Sequence, residues 1–306
     1  MPSEAHEQLV QLILDNPTPA DASLADLRAG FDGFLSAQPV PGEVEVEHVD
    51  AGGVPVELVG MPGATDDRIV FYLHGGGIAM GSAAGYRAFA ARLSAETGAR
   101  VAVVDYRLAP EAPYPAPQDD AIAAYGWLQQ QGRAGDRVLF AADSGGAGFM
   151  LSVVARIRDL AIALPAGMVA MCPWIDLALG DTIAAAEDVG DPVSTVEGLR
   201  YFAGLYLQGH SPVDPVVNVL HGDLRGLPPL LVLAGTRDIG YRDGLRVAEL
   251  ARKVEVPVEV RTGHGLIHNY QLAAHLPEAA EAVAALGEFF DQRVPVKVSA
   301  IEERER

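Results

Sequence analysis

RVLFAADSGGAGFMLSVVARI, residues 137–157, passes from an apolar run into a helical pattern with a single serine at the junction. Arg137 to Ala142 has the nearly continuous apolar character of a strand covered on both faces of a parallel sheet, and Ala147 to Asp159 repeats apolar residues at helical spacing. Between them, Ala142-Asp143-Ser144-Gly145-Gly146 reads as a nucleophile elbow, the sharp strand-to-helix turn that lifts a serine hydroxyl above the carboxyl edge of a sheet. Large flanking side chains would clash in that turn, so the general pattern is Gly-x-Ser-x-Gly. Here Ala142 replaces the leading glycine and adds one methyl group. The same letters also describe a glycine-rich helix start whose serine only caps exposed amides. The rest of the chain has to decide between them.

Outward from this unit, short runs rich in Val, Ile and Leu alternate with helical patterns from about residue 68 onward, which is the α/β signature. The expected strands are Glu43 to Val49, Pro55 to Val59, Arg68 to Leu73, Arg100 to Asp105, Arg137 to Ala142, Ala166 to Met171, Pro229 to Ala234 and Pro257 to Arg261. The first two alternate apolar and polar residues and suit an antiparallel hairpin turning at Ala51-Gly52-Gly53; the others suit parallel strands. Helical patterns at Gly85 to Thr97, Pro117 to Gln131, Tyr241 to Val254 and Pro277 to Gln292 serve as further crossovers. The expectation is an α/β fold with a mixed, mostly parallel sheet of eight strands. Residues 177–226 are too long for a simple crossover and read as a helical insertion, while residues 1–42 carry Leu9, Leu12, Ile13, Leu24, Leu27, Phe31 and Phe34 at helical spacing. These two segments are expected to form one cap over a catalytic domain made of residues 43–176 and 227–293, with 294–306 as a tail.

His74-Gly75-Gly76-Gly77 follows the third strand directly. Three glycines leave backbone amides unobstructed, and preorganised amides stabilise an oxygen that gathers negative charge. With Gly145, which follows the serine, Gly75 and Gly76 are the expected oxyanion-hole donors. A phosphate-cradling loop is the competing reading, but no Walker lysine is present and Ala79 and Met80 interrupt any GxGxxG pattern.

A serine needs a base, and the base needs an orienting carboxylate. When an elbow serine comes first, the acid and then the histidine follow on loops after later strands. Asp238, after the strand ending at Ala234, fits the acid, with Asp243 second because it falls in the next helix. His268 and His264 compete for the base, both after the eighth strand. A metal role for the two histidines lacks the accompanying glutamate and a third ligand, so neither metal nor cofactor is expected.

These residues together resemble the hormone-sensitive-lipase family of α/β-hydrolases, the bacterial type IV esterases. The resemblance rests on HGGG at 74–77, DYRLAPEAPYPAPQDD at 105–120, ADSGG at 142–146, CPWIDL at 172–177, GLPPLLVLAGTRD at 226–238 and GLIHNY at 265–270, and it covers about residues 45 to 290. It implies the α/β-hydrolase fold and hydrolysis of short- to medium-chain carboxylic esters through an acyl-enzyme. It also selects His268 over His264, and Asp238 as the acid. Asn269 and Tyr270 depart from the Gly and Phe usual after the family's histidine. Asp105, Tyr106, Arg107 and Glu111 are expected to brace the site. A lactonase with the same triad, or a non-catalytic receptor on this fold such as the plant gibberellin receptors, are the alternatives. The family resemblance also makes a homodimer through the last strand and helix an expectation, with Val294 to Val298 as its apolar contact.

Composition is consistent with small-molecule chemistry. Against 22 basic residues stand 41 acidic ones, a formal charge of −19, which excludes a default nucleic-acid partner. Apolar residues make up 49% and charged residues 21%, the balance of a packed globular chain. Cys172 is the single cysteine, so no intramolecular disulfide can form. Glu4 and Glu7 stand where a secretory signal would be basic, and no apolar stretch reaches membrane-spanning length, so a cytoplasmic location without a membrane span is expected.

Overall fold

A computed structural model describes residues 1–19, 21–133, 135–180 and 189–295. Eight strands, β1 (Glu45–Asp50), β2 (Pro55–Gly60), β3 (Thr65–Leu73), β4 (Ala99–Val104), β5 (Val138–Asp143), β6 (Gly167–Met171), β7 (Leu230–Arg237) and β8 (Val258–Ile267), form one sheet in the order β1-β2-β4-β3-β5-β6-β7-β8. The expected hairpin is present: β1 pairs antiparallel with β2, β2 with β4, and every other pair is parallel. Helices α3 (Ala83–Thr97), α4 (Ala116–Gln130), α5 (Ser144–Asp159) and α7 (Tyr241–Lys253) provide the crossovers, α6 (Val196–Leu207) lies in the insertion before β7, and α8 (Pro277–Arg293) follows the last strand and packs back on the sheet.

The period-two alternation of a strand explains why the buried strands are apolar on both sides. Along β3, Ile69, Phe71 and Leu73 enter the core layer that receives α4, α5 and α7, whereas Val70 and Tyr72 enter the layer that receives α3 and α8. The connection after β3 runs to β4 on one side, and the connection after β5 runs to β6 on the other. That reversal opens a crevice at the carboxyl ends of β3 and β5. The glycine loop and Ser144 both begin there.

The N-terminal residues form α1 (Glu4–Asp15) and α2 (Leu24–Ser36), as their periodicity predicts. Ser23 and Asp26 make a capping box at the start of α2. From α2, Arg28 donates to the carbonyls of Ala79 and Ala109 at 2.7 and 2.9 Å and pairs with Glu111, which fixes this helix beside the glycine loop. Part of the insertion, 181–188, and the tail from 296 to 306 lie outside the described residues, so only Val294 and Pro295 of the expected dimer contact can be placed. Val294 is fully buried against its own chain, and its carbonyl accepts from Arg68 at 3.1 Å, so it is not free to meet a partner.

Candidate active site

Ser144 occupies the junction between β5 and α5 with a φ of 52°, the left-handed conformation that an elbow imposes on its central residue. The small residues after it have identifiable reasons. A Cβ on Gly145 would lie 3.1 Å from the Gly77 Cα and 3.2 Å from Trp174, and one on Gly146 would meet the carbonyls of His74 and Leu73. Ala142 sits inside β5, fully buried, in register with Leu73 and Ala170, so its methyl group is absorbed by the core and does not crowd the turn.

Ser144, His268 and Asp238 come together from the ends of three strands. His268 Nε2 lies 2.8 Å from Ser144 Oγ, and its Nδ1 lies 2.9 Å from Asp238 Oδ1. A carboxylate only accepts, so Nδ1 carries the proton toward Asp238 and the Nε2 lone pair faces the hydroxyl. Asp238 follows β7 directly, and the amide of Gly240 donates to the same Oδ1 at 2.7 Å. Burial opposes charge on His268, but Asp238, with further help from Asp191 and Asp143, overcomes it and raises the imidazole to about 9.

His264 is exposed on β8, which runs on to Ile267 and so is longer than the expected Pro257 to Arg261. Asp243 lies at the start of α7, where its Oδ2 accepts the amides of Ile175 and Asp176 at 2.8 Å each; burial lifts its pKa to about 7. It braces the base of the insertion.

One expected oxyanion donor is placed otherwise. The Gly75 amide donates to Asp143 Oδ1 at 2.9 Å and toward Tyr86 Oη at 3.1 Å, so it is consumed inside the fold. Asp143 does not cap α5. Its carboxylate instead collects Tyr72 and Tyr86 hydroxyls at 2.7 and 2.9 Å, the Gly75 amide, and Asn269 Nδ2 at 3.0 Å. Burial raises its pKa while these donors oppose the rise. The consequence is that the first amides of α5 stay open toward the glycine loop, whose Gly77 backbone lies against Gly145.

The expected brace is present around His74. The Tyr106 hydroxyl donates to the His74 carbonyl at 2.6 Å, and the two rings stack with centroids 4.4 Å apart. Asp105 accepts the Ala83 amide at the start of α3, Arg107 grips Asp120 at 2.7 Å, and Glu111 holds Arg28. Two further contributors carry no motif. His6 of α1 accepts the Ile267 amide at 3.2 Å, next to His268, and Asp191 of the insertion accepts the Ile239 amide at 3.0 Å, next to Asp238. An isolated histidine on an amphipathic helix and an acid in a motif-free insertion give no local signal; only the helical periodicity around His6 shows that its face is turned inward.

A mostly parallel eight-stranded sheet that gathers a serine, a histidine and an aspartate at its carboxyl edge has the α/β-hydrolase fold. The family model described as the alpha/beta hydrolase fold matches residues 70–272. Among curated relatives, an acetyl-hydrolase of Streptomyces hygroscopicus is 35% identical over 81% of this chain and 82% of its own length. An esterase of Acinetobacter venetianus is 31% identical over 92% of this chain and 94% of its own. A solved esterase from the bacterial hormone-sensitive lipase family superposes with a TM-score of 0.91 at 33% identity, covering 96% of this chain and 99% of that one. The chain belongs to the hormone-sensitive-lipase family of α/β-hydrolases and is a carboxylic ester hydrolase.

Proposed function

We propose that the chain hydrolyses compact carboxylic esters through an acyl-enzyme on Ser144. The carrying observation is the continuous relay from Ser144 Oγ through His268 to Asp238, at 2.8 and 2.9 Å, beside glycine amides that donate to no other group among the described residues. His268 Nε2 takes the hydroxyl proton as Ser144 Oγ attacks the ester carbonyl. Asp238 holds the imidazole in the required tautomer and stabilises the imidazolium. The tetrahedral oxyanion is received by the amides of Gly76, Gly77 and Gly145, Gly75 being engaged with Asp143. Each such donor is worth roughly 3 to 4 kcal/mol of transition-state stabilisation. As the intermediate collapses, His268 returns the proton to the leaving alkoxide. A water molecule then repeats the sequence on the acyl-enzyme, giving the acid and free Ser144.

A short acyl group is favoured by what stands around the oxyanion loop. Phe202 of α6 packs onto Gly77 so closely that a Cβ there would lie 2.7 Å from its ring, and Trp174 closes the side next to Gly145. Of the other apolar residues of the N-terminal helices and the insertion, Leu9, Ile13 and Phe31 pack on the core, Tyr206 is buried, and Phe34 and Tyr201 are exposed. The N-terminal helices and the insertion together serve as the cap, with Phe202 as its innermost wall. The acetyl-hydrolase and esterase relatives support the same substrate class.

Ser144→Ala is expected to abolish hydrolysis of p-nitrophenyl acetate and butyrate with an unchanged melting temperature, and wild type is expected to be labelled at Ser144 by a fluorophosphonate. Retention of most turnover in the variant contradicts the assignment. A wild type that binds esters but resists the probe favours the receptor reading.

A further inference from the structure

The insertion brings a second carboxylate to the candidate triad. Asp191 Oδ2 accepts the Ile239 amide at 3.0 Å, while Oδ1 accepts the amides of Val193 at 2.8 Å and Ser194 at 3.2 Å. On the other side of Asp238, Arg237 Nε donates to the Gly190 carbonyl at 3.1 Å. Both neighbours of the acid are therefore tied to the insertion. One side-chain oxygen or nitrogen from each of Asp191, Asp238 and His268 lies within 4.8 Å of the others, and Asp238 Oδ2 is buried without a hydrogen-bond partner among the described residues.

We propose that Asp191 is a positioning residue of the ester-hydrolase site, holding the acid loop through Ile239 and presenting to His268 a second negative charge carried by the insertion. This rests on the triad reading above. Partial burial, with the charge of Asp238, raises the pKa of Asp191 above its ordinary value, while the neighbouring His268 and the amide donors oppose the rise and favour the ionised form. The charged and titratable groups around His268 are Asp238 after β7, Asp191 from the insertion and Asp143 at the end of β5. Cys172 and Asp243 approach Asp238 from beneath, and Arg237 is held on Gly190. Two carboxylates close to one imidazole strengthen the base and stabilise the imidazolium formed during acyl transfer. Because one of them arrives with the insertion, displacing that segment would loosen the acid loop and weaken the base together.

The test is the pH dependence of kcat/KM on a neutral short-chain p-nitrophenyl ester for wild type and Asp191→Asn, which keeps an acceptor oxygen and removes the charge. The acid limb is expected to move to lower pH by about one unit, with kcat falling about ten-fold and KM nearly unchanged. Asp191→Ser, smaller and uncharged, gives the same reading if the amide variant misfolds. An unmoved limb overturns the proposal, whether activity is retained or lost, since loss alone marks a passive brace. A wild type that neither turns over the ester nor labels with fluorophosphonate instead defeats the hydrolase reading, so the two failures are distinguishable.

Discussion

His268 sits among Asp238, Asp191 and Asp143 with only 7% of its surface exposed. Burial works against a charged ring, yet the carboxylates hold its pKa at about 9, above the ordinary 6.5. For a raised histidine, folding gains stability below the unfolded value and loses it as pH climbs through the folded one. Here the window runs from 6.5 to about 9. Catalysis has the opposite dependence, because the proposed base acts only when neutral. On an uncharged ester, kcat/KM is expected to climb with pH, reach half its maximum near 9 and level off only above that in a pH–rate profile. A plateau already reached by about pH 7 would show that the carboxylates do not control the ring. The identity of this histidine could be read from GLIHNY, but its basicity could not: two of the three acids that set it are separated from it by more than a strand and a helix.

At the level of elements, β8 shows where a local pattern misleads. Thr262-Gly263-His264-Gly265 reads as a turn, yet β8 continues through it to Ile267. Its pairing with β7 shifts register between Gly235 and Arg237, and a Cβ on Gly235 would collide with the Leu266 carbonyl. The glycines permit a close, irregular strand pairing that carries His268 to the site without a loop. Helix α1 secures the same strand end through His6, whose Nε2 accepts the Ile267 amide only in the neutral ring. Burial lowers the pKa of His6 below 6.5. A lowered histidine contributes stability that is present above the unfolded value and lost as pH falls below it. His6→Gln, which keeps an acceptor that does not titrate, is expected to reduce the drop in melting temperature between pH 7.5 and pH 5. His6→Leu strands the Ile267 amide and should cost about 1–3 kcal/mol in urea unfolding at neutral pH. Equal acid sensitivity in wild type and His6→Gln would remove this contact from the account.

Across the whole molecule, a formal charge of −19 surrounds a site that already gathers three acids, two of them buried. Such a field repels anionic substrates and is screened over about 10 Å at 0.1 M salt. For an ester bearing a free carboxylate, kcat/KM should therefore rise about two- to three-fold between low and moderate salt, while a neutral ester of equal size shows no change. Equal salt responses for the two esters would rule out long-range repulsion. Among the described residues no helix is long and apolar enough to cross a membrane. The N-terminal segment and the insertion reach the site from opposite parts of the chain: Arg28 clamps the residues after the glycine loop, and Phe202 covers Gly77.

From the sequence alone came the eight strands, the mixed sheet and the three members of the candidate triad. These follow from short-range signals: apolar runs, glycine at a turn, and the order of serine, acid and histidine. Only the tertiary structure decided which amides of His74-Gly75-Gly76-Gly77 remain bare, because that depends on Asp143 turning away from its own helix to take the first of them. It likewise decided that Asp191 and His6 stand beside Asp238 and His268. Hydrogen bonding and electrostatic coupling act through space over a few ångströms, and residues separated by 47 positions, as Asp191 and Asp238 are, meet only when packing brings their segments together.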